Sequence, residues 1–150
     1  MPSRTRRAAR LASWCAVVLA TLPAPARAGT VAHLVSRLNA ERARVGQGPL
    51  RADPELSSSA ARQSRRQLRA GRMQHSRRLG IVGFRRMAEL IAFQPGRRLR
   101  TGSVARGWRR SPVHSALVES PSFRLVGVGW ARGRLGGRAV TFWTVQLGTR

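Results

Sequence analysis

The sequence predicts an α+β fold in which a small antiparallel sheet is covered by helices on both faces. Three observations carry the prediction. Helical spacing of apolar residues dominates residues 30–70, two alternating segments (123–131 and 139–147) close the chain, and both segments are apolar on each face, as strands are when covered on both sides. Of 150 residues, 42% are hydrophobic and only 5% aromatic, which fits one small domain rather than two domains or a disordered tail.

The first 28 residues read as a secretory signal peptide. Arg4, Arg6, Arg7 and Arg10 form a positive start, Leu11 to Leu22 is apolar, and Ala26-Arg27-Ala28 is a small-x-small cleavage site. The apolar run is shorter than the roughly 20 residues that cross a bilayer, so a domain of residues 29–150 is expected in the secreted or cell-envelope space, with no transmembrane segment after cleavage. The Arg6-Arg7 pair is a weak pointer to twin-arginine export in a chain this rich in arginine. Cys15, the only cysteine, lies in the leader. The remainder therefore has no disulfide, thiol nucleophile or cysteine ligand and must be held by its own packing, in the style of a bacterial exoprotein.

Thr30 is the expected cap of a helix reaching Arg44, with Val31, Leu34, Val35, Leu38 and Val45 on its inner face and Gly46 and Gly48 stopping it. His33, in its first turn, reads as a solvent-facing or capping histidine. Asp53-Pro54-Glu55 starts a second helix, to about Ala70 with Gly71 ending it. Its inner face, Leu56, Ala60, Ala61, Ser64 and Leu68, is small enough for close approach, and Arg62, Arg65, Arg66 and Arg69 line the outer face. Gly80 to Phe84 is a candidate short strand. Met87 to Phe93 is an apolar run with Glu89 in its middle, a carboxylate that needs a partner if buried. Thr101 opens a short helix that puts Val104 and Trp108 on one face. Ser111-Pro112 begins the next turn, with Ser111 able to cap it, and Ser120-Pro121 ends it. In the first strand Gly127 and Gly129 mark close approach by another element, and Gly133 to Gly137 is the turn between the strands.

All 29 basic residues are arginine, against five acids, for a formal charge of +24. Such a charge attracts polyanions whatever the fold, yet the absence of lysine also points to a GC-rich coding bias. No aromatic interleaving and no reading motif accompany the arginines, which argues against nucleic acid as the partner. The arginine face of the second helix is either a solvated face or a docking surface for an anionic envelope polymer or phospholipid headgroups. The residue best placed for chemistry is His114, one turn inside a helix whose start is fixed by Ser111-Pro112. His75 and Glu89 are the residues expected to meet it. Asp53, the only aspartate, is already needed as a helix cap, so no Ser-His-Asp set suggests itself.

Taken in order, Leu38 to Arg44, Pro49 to Leu56, Gln74-His75-Ser76, Ala88 to Ala92, Trp108 with Ser111-Pro112-Val113-His114, and Val126 to Gly129 resemble the CAP superfamily of cysteine-rich secretory, antigen 5 and pathogenesis-related proteins, in a bacterial cysteine-free form. The resemblance covers about residues 30–148. It implies a three-layer α-β-α sandwich with a cleft where two histidines and one or two glutamates converge. By position His75 is the first cleft histidine, Glu89 the glutamate and His114 the second histidine. Zinc or another divalent cation on His75 and His114 is the cofactor the family implies.

Four departures from the family pattern matter. Ala88 and Leu90 replace the glycine and asparagine usual beside the glutamate, Val113 replaces a glycine, Ser115 replaces an arginine, and the second glutamate expected shortly after His75 is missing, with no acid between His75 and Glu89. Arg77, Arg78, Arg85 and Arg86 occupy that region instead, and they would repel a cation. The expected function is a secreted, non-enzymatic protein that binds a ligand, a lipid or a cell-envelope component through this cleft and the arginine face. The alternative is a divalent-metal-dependent hydrolase with His75 and His114 as ligands and Glu89 as general base to the bound water.

Overall fold

A computed structural model describes residues 24–150. Residues 1–23, which hold Cys15 and the four arginines of the signal peptide expected over residues 1–28, lie outside the described residues. The elements are α1 (Ala24–Arg44), β1 (Arg51–Ala52), α2 (Pro54–Ala70), β2 (Arg86–Pro95), α3 (Thr101–Arg110), α4 (Pro112–Glu119), β3 (Leu125–Leu135) and β4 (Arg138–Thr149). The strands form one sheet in the order β1-β3-β4-β2. β2, β3 and β4 are antiparallel, and the two residues of β1 add a short parallel edge to β3.

Alternation along the strands sorts the side chains into two layers. Val126, Val128 and Trp130 of β3 stand opposite Leu147, Val145 and Trp143 of β4, which stand opposite Ala88, Leu90 and Ala92 of β2. This face is the main core, shared with Leu34 and Leu38 of α1, Val104 and Trp108 of α3, and Val118 of α4. On the opposite face lies α2. There Gly127 and Gly129 leave no room for a side chain. A Cβ on Gly127 would sit 2.1 Å from the Leu56 carbonyl carbon, and one on Gly129 would sit 2.1 Å from the Ala61 nitrogen. The helix backbone therefore rests directly on β3, as the two glycines predicted.

α2 keeps the bounds its sequence dictates. The Asp53 carboxylate accepts from the Glu55 and Leu56 amides, and Gly71 closes the helix in the left-handed region (φ 66°). Its buried face differs in part: Gln63 and Gln67 are buried with Leu56, Ala60 and Ser64, while Ala61 and Leu68 are half-exposed. α1 starts before Thr30, because the alanines of residues 24–28 propagate the helix and Pro25 falls in the first turn, where its missing donor costs nothing. The helix thus runs unbroken through Ala26-Arg27-Ala28. Val45, expected on the inner face, is exposed because the helix ends at Arg44. His33 is exposed, yet its Nδ1 lies 2.8 Å from the Thr101 hydroxyl at the start of α3.

Gly80 to Phe84 forms no strand. Gly83 takes φ 88°, the Phe84 amide closes a turn on the Ile81 carbonyl, and the Phe84 ring packs over Gly148. The β3–β4 turn is tighter than expected. The ladder continues to Leu135–Arg138, leaving only Gly136 and Gly137, both at positive φ (53° and 77°), which suits a two-residue hairpin.

Arg42 joins the layers in a way its sequence position does not reveal. Its side chain is fully buried, donating to the carbonyls of Gly48 (2.7 Å), Val118 (2.7 Å), Ser120 (2.8 Å) and Phe123 (3.3 Å). Burial lowers its pKa, with Arg124 adding to the effect. Beside it Asn39 bonds the Leu50 amide and carbonyl, fixing the loop after α1.

Gly129→Ala should lose about 3 kcal/mol in a urea melt, because two backbones would have to separate. Gly107→Ala in α3, where nothing lies within 4 Å of the added carbon, should be neutral or stabilising by up to about 1 kcal/mol.

Candidate functional site

Glu89 lies on the α2 side of β2, opposite Gln146 of β4, and is 7% exposed. Its two oxygens accept four hydrogen bonds. Oε1 takes the Ser76 amide (2.9 Å) and His75 Nδ1 (3.0 Å), while Oε2 takes the Ser76 hydroxyl (2.7 Å) and Gln146 Nε2 (3.0 Å). Burial on its own pushes this carboxyl up, but the bonds from Ser76, Gln146 and His75 outweigh it and hold the pKa below 4.5.

The segment that delivers His75 is itself pinned to α2. Gln63 Nε2 donates to the Gln74 carbonyl (2.6 Å), and the Gln74 amide points to Gln67 Oε1 (3.4 Å). Gln67 Nε2 and the Ser64 hydroxyl both reach the Thr144 hydroxyl of β4. A buried polar layer between α2 and the sheet therefore fixes both the carboxylate and the loop it holds. Ser76, Gln146, Gln63 and Gln67 were not singled out from the sequence. Ser76 sits beside a candidate residue, but Gln146 becomes visible only once the β2–β4 register places it against Glu89.

An ionised carboxylate only accepts hydrogen bonds, so His75 Nδ1 is the donor, and in the neutral imidazole this leaves the lone pair on Nε2. The ring is otherwise exposed. His114 approaches from α4, half-buried, its Nδ1 2.8 Å from the Ser111 hydroxyl. That hydroxyl was expected to cap the helix backbone; it turns to the imidazole instead and makes no cap bond. Burial lowers the His114 pKa, and the charge of His75 lowers it further. Among the described residues no hydrogen bond joins His114 to Glu89 or His75. Ala88 and Leu90, which flank the glutamate, point into the core on the other face. An open groove of about 360 Å³ lies away from this cluster, lined by Pro54, Glu55, Ser58, Arg62 and Ile81.

Among the described residues, no group of three or more His, Cys, Asp or Glu side chains is arranged to hold a metal ion. The donor set is instead two imidazoles, each anchored through Nδ1 by an oxygen partner, as metal-binding histidines usually are.

The family model for the cysteine-rich secretory protein family, CAP, matches residues 35–147. The chain belongs to this family. Its CAP fold is shared with an extracellular SCP-domain protein of Bacillus anthracis (TM-score 0.66, 22% identity, 82% of this chain and 41% of that one). An outer surface protein of Borrelia burgdorferi (0.63, 17%, 79% and 91%) and venom allergen-like protein 4 of Schistosoma mansoni (0.59, 13%, 81% and 90%) share it as well. The chain thus spans about two fifths of the Bacillus protein. No curated protein sequence matches it. This CAP domain, despite the family's name, contains no cysteine among the described residues, and no helix among them is long and apolar enough to cross a membrane.

Because the folded Glu89 carboxyl titrates below its ordinary 4.5, the unfolded chain takes up this proton first as pH falls. The stability it contributes is present above about pH 4.5 and is lost as pH drops through the folded value. Glu89→Gln should flatten that part of the pH–stability curve and cost about 2–3 kcal/mol at pH 7, read by urea melts. A proton NMR titration should place His114 below 6.5, and His75→Ala should raise its midpoint only part of the way back, since burial is the larger cause.

Proposed function

We propose that this CAP domain is an exported, non-catalytic binding module whose cleft holds its ligand between the Nε2 atoms of His75 and His114. The observation that carries the reading is the state of Glu89. All four of its bonds are to groups of the protein itself, and its affinity for protons is reduced. A general base needs the opposite, a carboxylate free to face water and poised to accept a proton. This supports reading Glu89 as the anchor of His75 and of the 74–76 segment rather than as the general base of a metallohydrolase.

The anchors also define what the cleft can take. Glu89 fixes the His75 tautomer with Nε2 unprotonated. The Ser111 hydroxyl can accept from His114 Nδ1, which frees the second Nε2 in the same way. Two lone pairs directed from a loop and a helix suit a divalent cation, which would supply a positive centre for an anionic or carbonyl ligand. Arg77 and Arg78 beside His75 are exposed and limit the affinity for the bare ion while favouring an anion alongside it. Export rests on the leader, on a family match that begins at residue 35, and on relatives described as extracellular or outer-surface proteins.

Calorimetric titration with zinc should give one weak site per chain, with affinity reduced at least tenfold in both His75→Ala and His114→Ala. Binding that survives either substitution, or no binding by a folded sample, would refute the paired-imidazole site.

A further inference from the structure

On the outer layer, α2 turns Arg62, Arg66 and Arg69 to solvent, with Arg65 half-exposed beside them. They recur every three or four residues, so they stand in one row with about 5–6 Å between neighbours. Among the described residues these four side chains make no hydrogen bond or ion pair. The acid nearest in sequence on this helix, Glu55, is already taken by Arg150 at 2.9 Å, and Asp53 by the same guanidinium at 3.1 Å. The row is also rigid, since Gly127 and Gly129 seat the helix backbone on β3. Arg72, Arg77 and Arg78, all exposed, carry the charge on into the segment that bears His75.

Three unneutralised guanidinium groups in one row on a fixed rod, with Arg65 beside them, suit a linear array of phosphates, each of which an arginine can grip through two donors. Among the described residues α2 itself exposes no large apolar side chain to enter a bilayer. The large exposed apolar residues Val45, Met73, Val82, Phe93 and Val113 all lie outside α2. It has no ring on which a base could stack either, because Trp108, Trp130 and Trp143 are buried. We propose that the α2 arginine row is the docking surface for a linear polyol-phosphate polymer of the cell envelope. The choice of an envelope polymer rests on the export reading, whereas the row itself is independent of the cleft.

The test is fluorescence anisotropy of labelled poly(glycerol phosphate) with the full chain across a salt series. Arg62→Gln/Arg66→Gln/Arg69→Gln should weaken binding at least tenfold and make log K against log salt shallower by about two units. Arg98→Gln/Arg110→Gln/Arg138→Gln removes the same charge from exposed positions elsewhere and should cost less than threefold. The His75→Ala/His114→Ala double variant should bind the polymer as the parent does, which separates this proposal from the cleft reading. Equal losses in the two arginine variants would reduce the effect to diffuse charge and overturn the site. A parent that prefers phosphatidylglycerol vesicles or single-stranded oligothymidylate to the polymer, with that binding lost in the α2 variant, would overturn the occupant.

Discussion

A carboxylate placed in the middle of a buried strand imposes the constraint around which this candidate site is built. Glu89 cannot stay charged at 7% exposure unless its oxygens are filled, and the chain fills them with groups of three residues from two directions. Ser76 and His75 arrive on the segment after α2, and Gln146 comes from the neighbouring strand. Satisfying one charge thus brings a loop, two strands and, through Gln63 and Gln67, a helix into register. The same bonds that make the charge tolerable make it a poor proton acceptor. In the proposed reading, a carboxylate at the position expected of a catalytic base supports the site instead of reacting in it.

The rest of the fold relies on two other devices that replace covalent bridges. One is direct backbone contact, with α2 lying on the bare surface of Gly127 and Gly129. The other is Arg42, a buried cation that satisfies carbonyls of Gly48, Val118, Ser120 and Phe123 and so ties the end of α1 to the end of α4 and the entry to β3. The last carbonyls of α4 carry the negative end of its dipole, which suits a guanidinium. A domain without cysteines is in this way stapled by polar groups inserted between its layers.

Elements with strong local signals were legible in the sequence. α2 could be bounded to the residue because a capping aspartate, an initial proline and a terminal glycine all act within a turn of where they stand. The terminal hairpin and the glycines that receive α2 were legible for the same reason. What escaped depends on pairing across the chain. Phe84 reads as part of a strand until Gly148 is seen to receive its ring, and Arg42 reads as one more surface arginine until the carbonyls of residues 118–123 are placed around it. Ser111 shows how a local signal can be redirected, its hydroxyl serving His114 instead of the helix. The candidate trio His75, Glu89 and His114 was named from order and spacing, but which of the three supports and which faces outward came only from the geometry.

The central claim is that Glu89 is a fixed, ionised anchor, and its own titration tests that most directly. In a carbon-13 NMR titration of the selectively labelled carboxyl group, the account predicts a midpoint below 4.5. A Glu89 midpoint above 4.5, moving toward neutrality, would describe a carboxylate held ready to take a proton, and would return the cleft to the catalytic reading.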